Sequence, residues 1–306
     1  MSSRATPRPL WDDLPRALRS AVEQVLGARV VASTSSAGGW SPGSADLVVL
    51  EDGRRAFVKA VDARVNGHAA DLHRREVEVL GLLAGRSAPR LLGVVDAPPW
   101  IALAVEAITG RHPDPGSARD TASVLDAVEA FPPADVLPDA RPVEEELADA
   151  SLGWSRLTDD GAPLPDGIGA LLEPLDTLAR RLPEAVHGSC VVHGDLRVDN
   201  VLVDGAGRGR IVDWPWALAG ARWFDGVTYL LDVRHLGGDV RSGLDHPLIA
   251  AAPPGDVDVL LAVLGAYFLD SARGPEVPGL GGLRAYQLAQ GRTAVAWLRE
   301  RRPDLR

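Results

Sequence analysis

His193-Gly194-Asp195-Leu196-Arg197-Val198-Asp199-Asn200, followed after a short gap by Ile211-Val212-Asp213-Trp214, says most about the fold of this chain. The two stretches set out a carboxylate at Asp195, an amide five residues on at Asn200, and a second carboxylate thirteen residues later at Asp213. The residues between them predict a β-hairpin. Val201-Leu202-Val203 runs out, Asp204-Gly205-Ala206-Gly207 turns, and Arg210-Ile211-Val212 returns. Asn200 and Asp213 flank that hairpin, so each strand delivers one oxygen-bearing side chain to the same end.

Phosphoryl transfer needs such a set, because the protein must align a nucleophile and hold Mg²⁺ against phosphate oxygens while doing little covalent chemistry itself. Asp195 is then the base or orienting group for an acceptor hydroxyl, and Asn200 and Asp213 are the metal ligands. One amide and one carboxylate oxygen suit the hard Mg²⁺ ion and leave positions for phosphate and water. His193 is expected to hold the loop backbone through its ring nitrogens, not to transfer protons.

Lysine usage is a second, independent signal. Of 32 Lys and Arg residues, one is lysine, Lys59. A compact ammonium on a flexible stem fits between phosphate oxygens and a carboxylate where a forked guanidinium does not. Arg54 to Ala60 alternates like a strand after the Glu51-Asp52-Gly53 turn and is expected to end near Lys59. A helix is expected over Asp71 to Leu83, with Val77, Leu80 and Leu83 on its apolar side. Glu76 is chosen over Glu78 as the acid that pairs with Lys59 and aims it, although both also read as solvated helix charges. Upstream, Ser35 to Gly43 joins strands expected over Ala28 to Ser33 and Ala45 to Leu50. Its small residues let backbone N–H groups approach phosphate, which makes Ser36, Gly38 and Gly39 candidate nucleotide contacts, though most such turns are only turns.

In this order, the Gly-rich turn, Lys59, Glu76, Val105-Glu106-Ala107-Ile108, His193 to Asn200 and Asp213 resemble the aminoglycoside phosphotransferase family of the protein-kinase-like superfamily. The His-Gly-Asp form, where protein kinases usually have His-Arg-Asp, points to the small-molecule branch. The resemblance implies an α+β, bilobal protein-kinase-like fold. An N-terminal antiparallel β-sheet lobe would span residues 1–108, and a mainly helical C-terminal lobe residues 109–306. It also implies ATP and Mg²⁺, transfer of phosphate to a small-molecule hydroxyl, and adenine held by hinge backbone groups from Glu106 to Ile108. Asp225 takes the family's bracing position under the catalytic loop. Arg197 stands where many members carry another residue. It either touches the transferring phosphate and stabilises developing charge or pairs with a neighbouring acid.

Two rival functions are weighed against this one. Trp214-Pro215-Trp216 replaces the Phe-Gly switch of regulated protein kinases, and no Ser, Thr or Tyr lies between Asp213 and Asp225, which disfavours a protein kinase. A noncatalytic nucleotide-binding pseudokinase is expected to lack the base or a metal ligand, and both are present.

Composition agrees with an enzyme of two compact units: 306 residues, 46% hydrophobic and 24% charged. Cys190, the single cysteine, excludes an internal disulfide framework, fits a reducing cytoplasm and reads as a small apolar residue. The first nine residues have no apolar core and no apolar run approaches ~18 residues, so neither signal peptide nor membrane span is expected. The net charge is -10, with sixteen acids against six arginines between Arg111 and His187. That excess argues against nucleic acid and suits a cationic, hydroxyl-bearing acceptor. Glu144-Glu145-Glu146 reads equally as a solvated helix face. Further helices are expected through Leu14 to Leu26, along the Ile168, Leu171, Leu172, Leu175, Leu178, Leu182 stripe, over Val257 to Leu269 and over Leu283 to Arg301.

Overall fold

A computed structural model describes residues 9–36, 43–83, 85–159, 164, 167–253, 255–277 and 280–305. Helix α1 (Arg16–Leu26) leads into strands β1 (Val30–Ser35), β2 (Ser44–Leu50) and β3 (Arg55–Asp62), then helix α2 (Gly67–Leu83) and strands β4 (Leu91–Ala97) and β5 (Trp100–Glu106). The five strands form one antiparallel sheet in the order β1-β2-β3-β5-β4.

Period-two alternation assigns the two faces of this sheet. Ala56, Val58 and Ala60 on β3 join Ala102 and Ala104 on β5 in a core capped by Leu18, Val22 and Leu26 of α1. The intervening residues, Phe57, Lys59, Leu103 and Val105, point the other way. Leu103 and Val105 pack there with Val79, Leu80 and Leu83 of α2. Lys59 therefore emerges on the face that α2 covers. Two expectations shift here. Strand β3 runs three residues past Lys59, and α2 begins at Gly67, four residues before the expected start. Its buried face carries Ala69, Ala70, His73, Glu76, Leu80 and Leu83, with Val77 only partly buried at its margin.

Beyond β5 the chain is mainly helical. β6 (Gly110–Arg111) is followed by α3 (Ala118–Glu129), α4 (Val143–Glu146), α5 (Ala148–Ser151), α6 (Gly153–Asp159), α7 (Leu172–Ala179) and α8 (Leu182–Val186). Then come β7 (Cys190–Val192), β8 (Val201–Asp204), β9 (Gly209–Ile211), β10 (Leu218–Gly220) and α9 (Phe224–His235). The last helices are α10 (Arg241–Leu244), α11 (Pro247–Ala250), α12 (Asp256–Ser271) and α13 (Leu283–Arg301). Residues Val257 to Ala266 of α12 are all buried, as befits a helix packed by α6, α7, α8 and α13 on its several sides. The single helix expected along Ile168 to Leu182 is broken into a 3₁₀ turn, α7 and α8. Pro183 at the start of α8 supplies the reason: its ring collides with the carbonyl four residues back, at Ala179, where α7 ends.

The acid run on α4 is not the fully solvated face that was one of its two readings. Glu144 pairs with His187 at 2.8 Å, Glu146 pairs with Arg141, and only Glu145 is exposed. Among the described residues no helix is long and apolar enough to cross a membrane.

Candidate active site

Strands β7 and β10 pair and launch the loop that carries Asp195. Gly194 turns this loop at φ +81°, and a Cβ there would lie 2.4 Å from Trp216 O, so a side chain would be both strained and sterically blocked. Asp225, in the first turn of α9, accepts from the backbone N–H groups of His193 at 2.6 Å and Gly194 at 3.1 Å. The His193 ring braces the same loop. Its Nε2 donates to Val212 O at 3.0 Å, and its Nδ1 accepts the Asp195 N–H at 3.3 Å. Burial pushes that imidazole down to about 4, which keeps it a neutral strut. Burial acts oppositely on carboxyls, raising Asp195 to about 6 and Asp225 to about 7.

The hairpin has the expected form. Val212 N–H closes on Asn200 O at 2.9 Å, β8 pairs with β9, and Asn200 and Asp213 sit at the same end. Asn200 donates Nδ2–H to Asp195 O at 2.8 Å. Asp213 adopts φ +70°, the only described non-glycine residue with positive φ, a backbone state that costs energy and concentrates at functional sites. That turn aims its carboxylate at Lys59, with Nζ to Oδ1 at 2.5 Å. Lys59 Nζ also donates to both Glu76 oxygens at 2.8 Å, and Glu76 Oε1 accepts the Trp214 N–H at 3.4 Å. Burial works against the ammonium, but Asp213 and Glu76 hold its pKa above the ordinary lysine value. The charge of Lys59 in turn holds Asp213 below the usual carboxylate range against the effect of burial.

A cavity of about 420 Å³ opens between the sheet and the hairpin. Ser36, Lys59, Glu76, Glu106, Ile108, Arg197, Asn200 and Asp213 all line it. Gly38 and Gly39 lie outside the described residues. Gly43, at the far end of the same turn, also lines the cavity, and a Cβ there would lie 2.6 Å from Ala60 O. At the hinge, Glu106 N–H is taken by Arg90 O at 2.8 Å and its carboxylate faces Arg90. Arg197 pairs with two neighbouring acids, Nε to Asp195 Oδ1 and Nη2 to Asp199 Oδ2, both at 3.3 Å. Its Nε nonetheless makes no aligned hydrogen bond, and the side chain borders the cavity.

Sequence reasoning passed over His73. It lies one turn before Glu76 on the buried face of α2, lines the cavity, and has a buried Nε2 without a hydrogen-bond partner. Its three-residue spacing from Glu76 was the available signal. Burial and then the charge of Lys59 push its pKa down to about 4.

The sequence pattern of the phosphotransferase enzyme family (APH) matches residues 37–256. The chain belongs to this family. With membership comes the reaction class, a kinase acting on a hydroxyl of a small molecule, and the expected resemblance to aminoglycoside phosphotransferases is borne out. No curated protein matches the chain in a sequence search. Among solved structures, an aminoglycoside phosphotransferase from Alicyclobacillus acidocaldarius is 12% identical, with a TM-score of 0.55 over 100% of this chain and 98% of that one. A choline kinase from Streptococcus pneumoniae is 12% identical, with a TM-score of 0.62 over 92% and 98%. A macrolide 2'-phosphotransferase from Brachybacterium faecium is 15% identical, with a TM-score of 0.57 over 92% and 96%. At these identities the likeness is one of fold, and this family member has the bilobal kinase-like architecture, a sheet-bearing N-terminal lobe and a mainly helical C-terminal lobe.

Proposed function

We propose that this phosphotransferase uses ATP and Mg²⁺ to move the γ-phosphate to a hydroxyl of a small molecule, aminoglycoside-like or another amino alcohol or sugar. The convergence of Lys59, Asn200 and Asp213 on one cavity, with Asp195 held beside it by Asn200, carries the proposal. Residues 1–108 would hold the nucleotide, and residues 109–306 the catalytic loop, metal ligands and acceptor pocket. The structure of the similar choline kinase with AMP favours an adenine nucleotide here. The acid excess between Arg111 and His187 favours a cationic acceptor. The same acid excess argues against nucleic acid as a partner, and the single cysteine accords with a reducing cytoplasm.

The donor set fits Mg²⁺. Asn200 spends its Nδ2 on Asp195 O, which leaves its amide oxygen for the ion, and Asp213 offers a second hard oxygen across the hairpin. A bound Mg²⁺ supplies charge neutralisation between phosphate oxygens. Asp195 orients the acceptor hydroxyl and takes its proton as the new O–P bond forms and the bond to the ADP oxygen breaks. Lys59, aimed by Glu76, holds phosphate oxygens. Arg197 sets a guanidinium beside the developing charge. Backbone groups of Ser36, Gly38 and Gly39 cover the phosphates, and those from Glu106 to Ile108 hold the base.

The test is ADP release from Mg²⁺-ATP across aminoglycosides, amino alcohols, sugars and macrolides, with Asp195→Asn beside wild type. Acceptor-dependent turnover is expected for the wild type and not for the variant. Equal turnover by both would overturn the assignment of Asp195, and silence across the panel despite thermal stabilisation by ATP would favour a binding module.

A further inference from the structure

A polar cluster on the far side of the catalytic loop is unexplained by the residues above. Asp232 lies on α9, two turns beyond Asp225, and is buried. Its Oδ2 accepts the Val198 N–H at 2.9 Å, in the middle of the segment from Asp195 to Asn200. Its Oδ1 accepts Gln290 Nε2–H at 2.7 Å and faces the Tyr286 hydroxyl at 3.4 Å. Gln290 also donates to that hydroxyl at 2.9 Å. Both partners come from α13, 54 and 58 residues further along the chain. The ring of Tyr286 lies under the Arg197 guanidinium, 5.9 Å from its carbon to the ring centroid, within cation–π range.

A buried carboxylate bonded on both oxygens is costly to assemble and does not by itself favour folding over an apolar cluster. What it does well is fix positions. Asp225 holds the start of the loop at His193 and Gly194, and Asp232 holds the stretch after the base at Val198. Arg197 sits directly before that second anchor and meets Asp195, Asp199 and the Tyr286 ring.

We infer that Asp232, Tyr286 and Gln290 form a positioning unit by which α13 sets the backbone at Val198 and the direction of the Arg197 guanidinium relative to Asp195. None of the three is a catalytic residue; they act through Val198 and Arg197. This inference rests on the proposed roles of Asp195 and Arg197. Preorganised charge loses much of its effect when displaced by about an ångström, so loss of the unit should appear in kcat and not in nucleotide affinity.

The experiment follows ADP release from Mg²⁺-ATP, both with water as acceptor and with the best acceptor of the panel, alongside thermal melting. The proteins are wild type, Asp195→Asn, Tyr286→Leu, Tyr286→Phe, Asp232→Asn, and Asp232→Asn combined with Gln290→Glu. The combined variant exchanges donor and acceptor between the two side chains, keeps their total charge, and leaves an amide oxygen for Val198 N–H. Expected are falls of about tenfold in kcat for Tyr286→Leu and Asp232→Asn with KM for ATP little changed, a smaller fall for Tyr286→Phe, and recovery in the combined variant. Wild-type kcat in Tyr286→Leu and Asp232→Asn while Asp195→Asn is inactive would overturn the positioning unit alone. So would a combined variant no better than Asp232→Asn, or losses that merely follow the fraction folded. Full activity in Asp195→Asn would overturn the site assignment and the unit with it.

Discussion

Lys59 and Asp213, 154 residues apart in the chain, meet at 2.5 Å, and Glu76 takes the other side of the same ammonium with both oxygens at 2.8 Å. One lysine thus ties strand, helix and hairpin at a single point. Removing it leaves two carboxylates facing each other in a largely buried place. Lys59→Met is expected to cost roughly 3 kcal/mol of stability, as for a buried ion pair that has lost one partner. Adding Glu76→Gln should return part of that. Urea denaturation of the single and double variants checks this, and additive losses would count against the coupling. Lys59→Arg should not restore turnover, because the planar fork cannot reproduce a point contact.

Gly194→Ala tests the shape of the loop. The new methyl would be held at positive φ and driven against Trp216 O. A cost of about 1–3 kcal/mol is expected from the backbone conformation alone. Activity should fall further than the melting temperature suggests, because Asp195 is the next residue. Parallel melting and turnover measurements would show whether the two losses separate.

Acid should weaken the fold through His73. Its folded pKa, about 4, lies below the ordinary value of 6.5. Below that ordinary value the unfolded chain takes a proton that the folded imidazole refuses until about pH 4. Stability contributed by the neutral ring is therefore complete above the unfolded pKa and is lost as pH falls through this window. His193 acts in the same sense, and the raised Asp195 and Asp225 act oppositely, so the comparison must be made between proteins. His73→Gln should flatten the acid side of the stability curve by up to about 1.4 kcal/mol per pH unit relative to wild type. Parallel curves would refute the assignment.

The proposed metal role of the Asn200 and Asp213 oxygens predicts metal dependence. Chelation of Mg²⁺ is expected to abolish ADP release without unfolding the protein. Asn200→Ala should raise the Mg²⁺ concentration at half-maximal rate, whereas Asp213→Ala should remove turnover, since that carboxylate also answers Lys59. A magnesium titration of each variant would show the difference.

The readable parts of the site were those written locally. Asn200 and Asp213 flank one hairpin and Asp195 lies five residues before Asn200, and hairpins announce themselves through alternation and turn residues. Lys59 stood out because arginine serves everywhere else. The fold class was legible through the family resemblance, but the breaks were less so: Pro183 cut a continuous apolar stripe into separate pieces. Asp232, Tyr286 and Gln290 left no trace in the sequence. Buried polar residues within helices look the same as solvated ones until the packing is known, and their partners lie 34 to 58 residues away. His73 lay in between, with its helical spacing visible and its burial not.

Helix α2 carries Glu76 on the same face as Leu80 and Leu83, and those two leucines are embedded in the large core together with Leu103 and Val105. Rocking α2 outward, as would be needed to part Glu76 from Lys59, would strip both leucines of their surroundings at about 1.5–3 kcal/mol apiece. The Lys59–Glu76 pair is thereby latched by leucines set further along the same helix face. Parting the two side chains by moving the helix would therefore cost core burial as well as an ion pair.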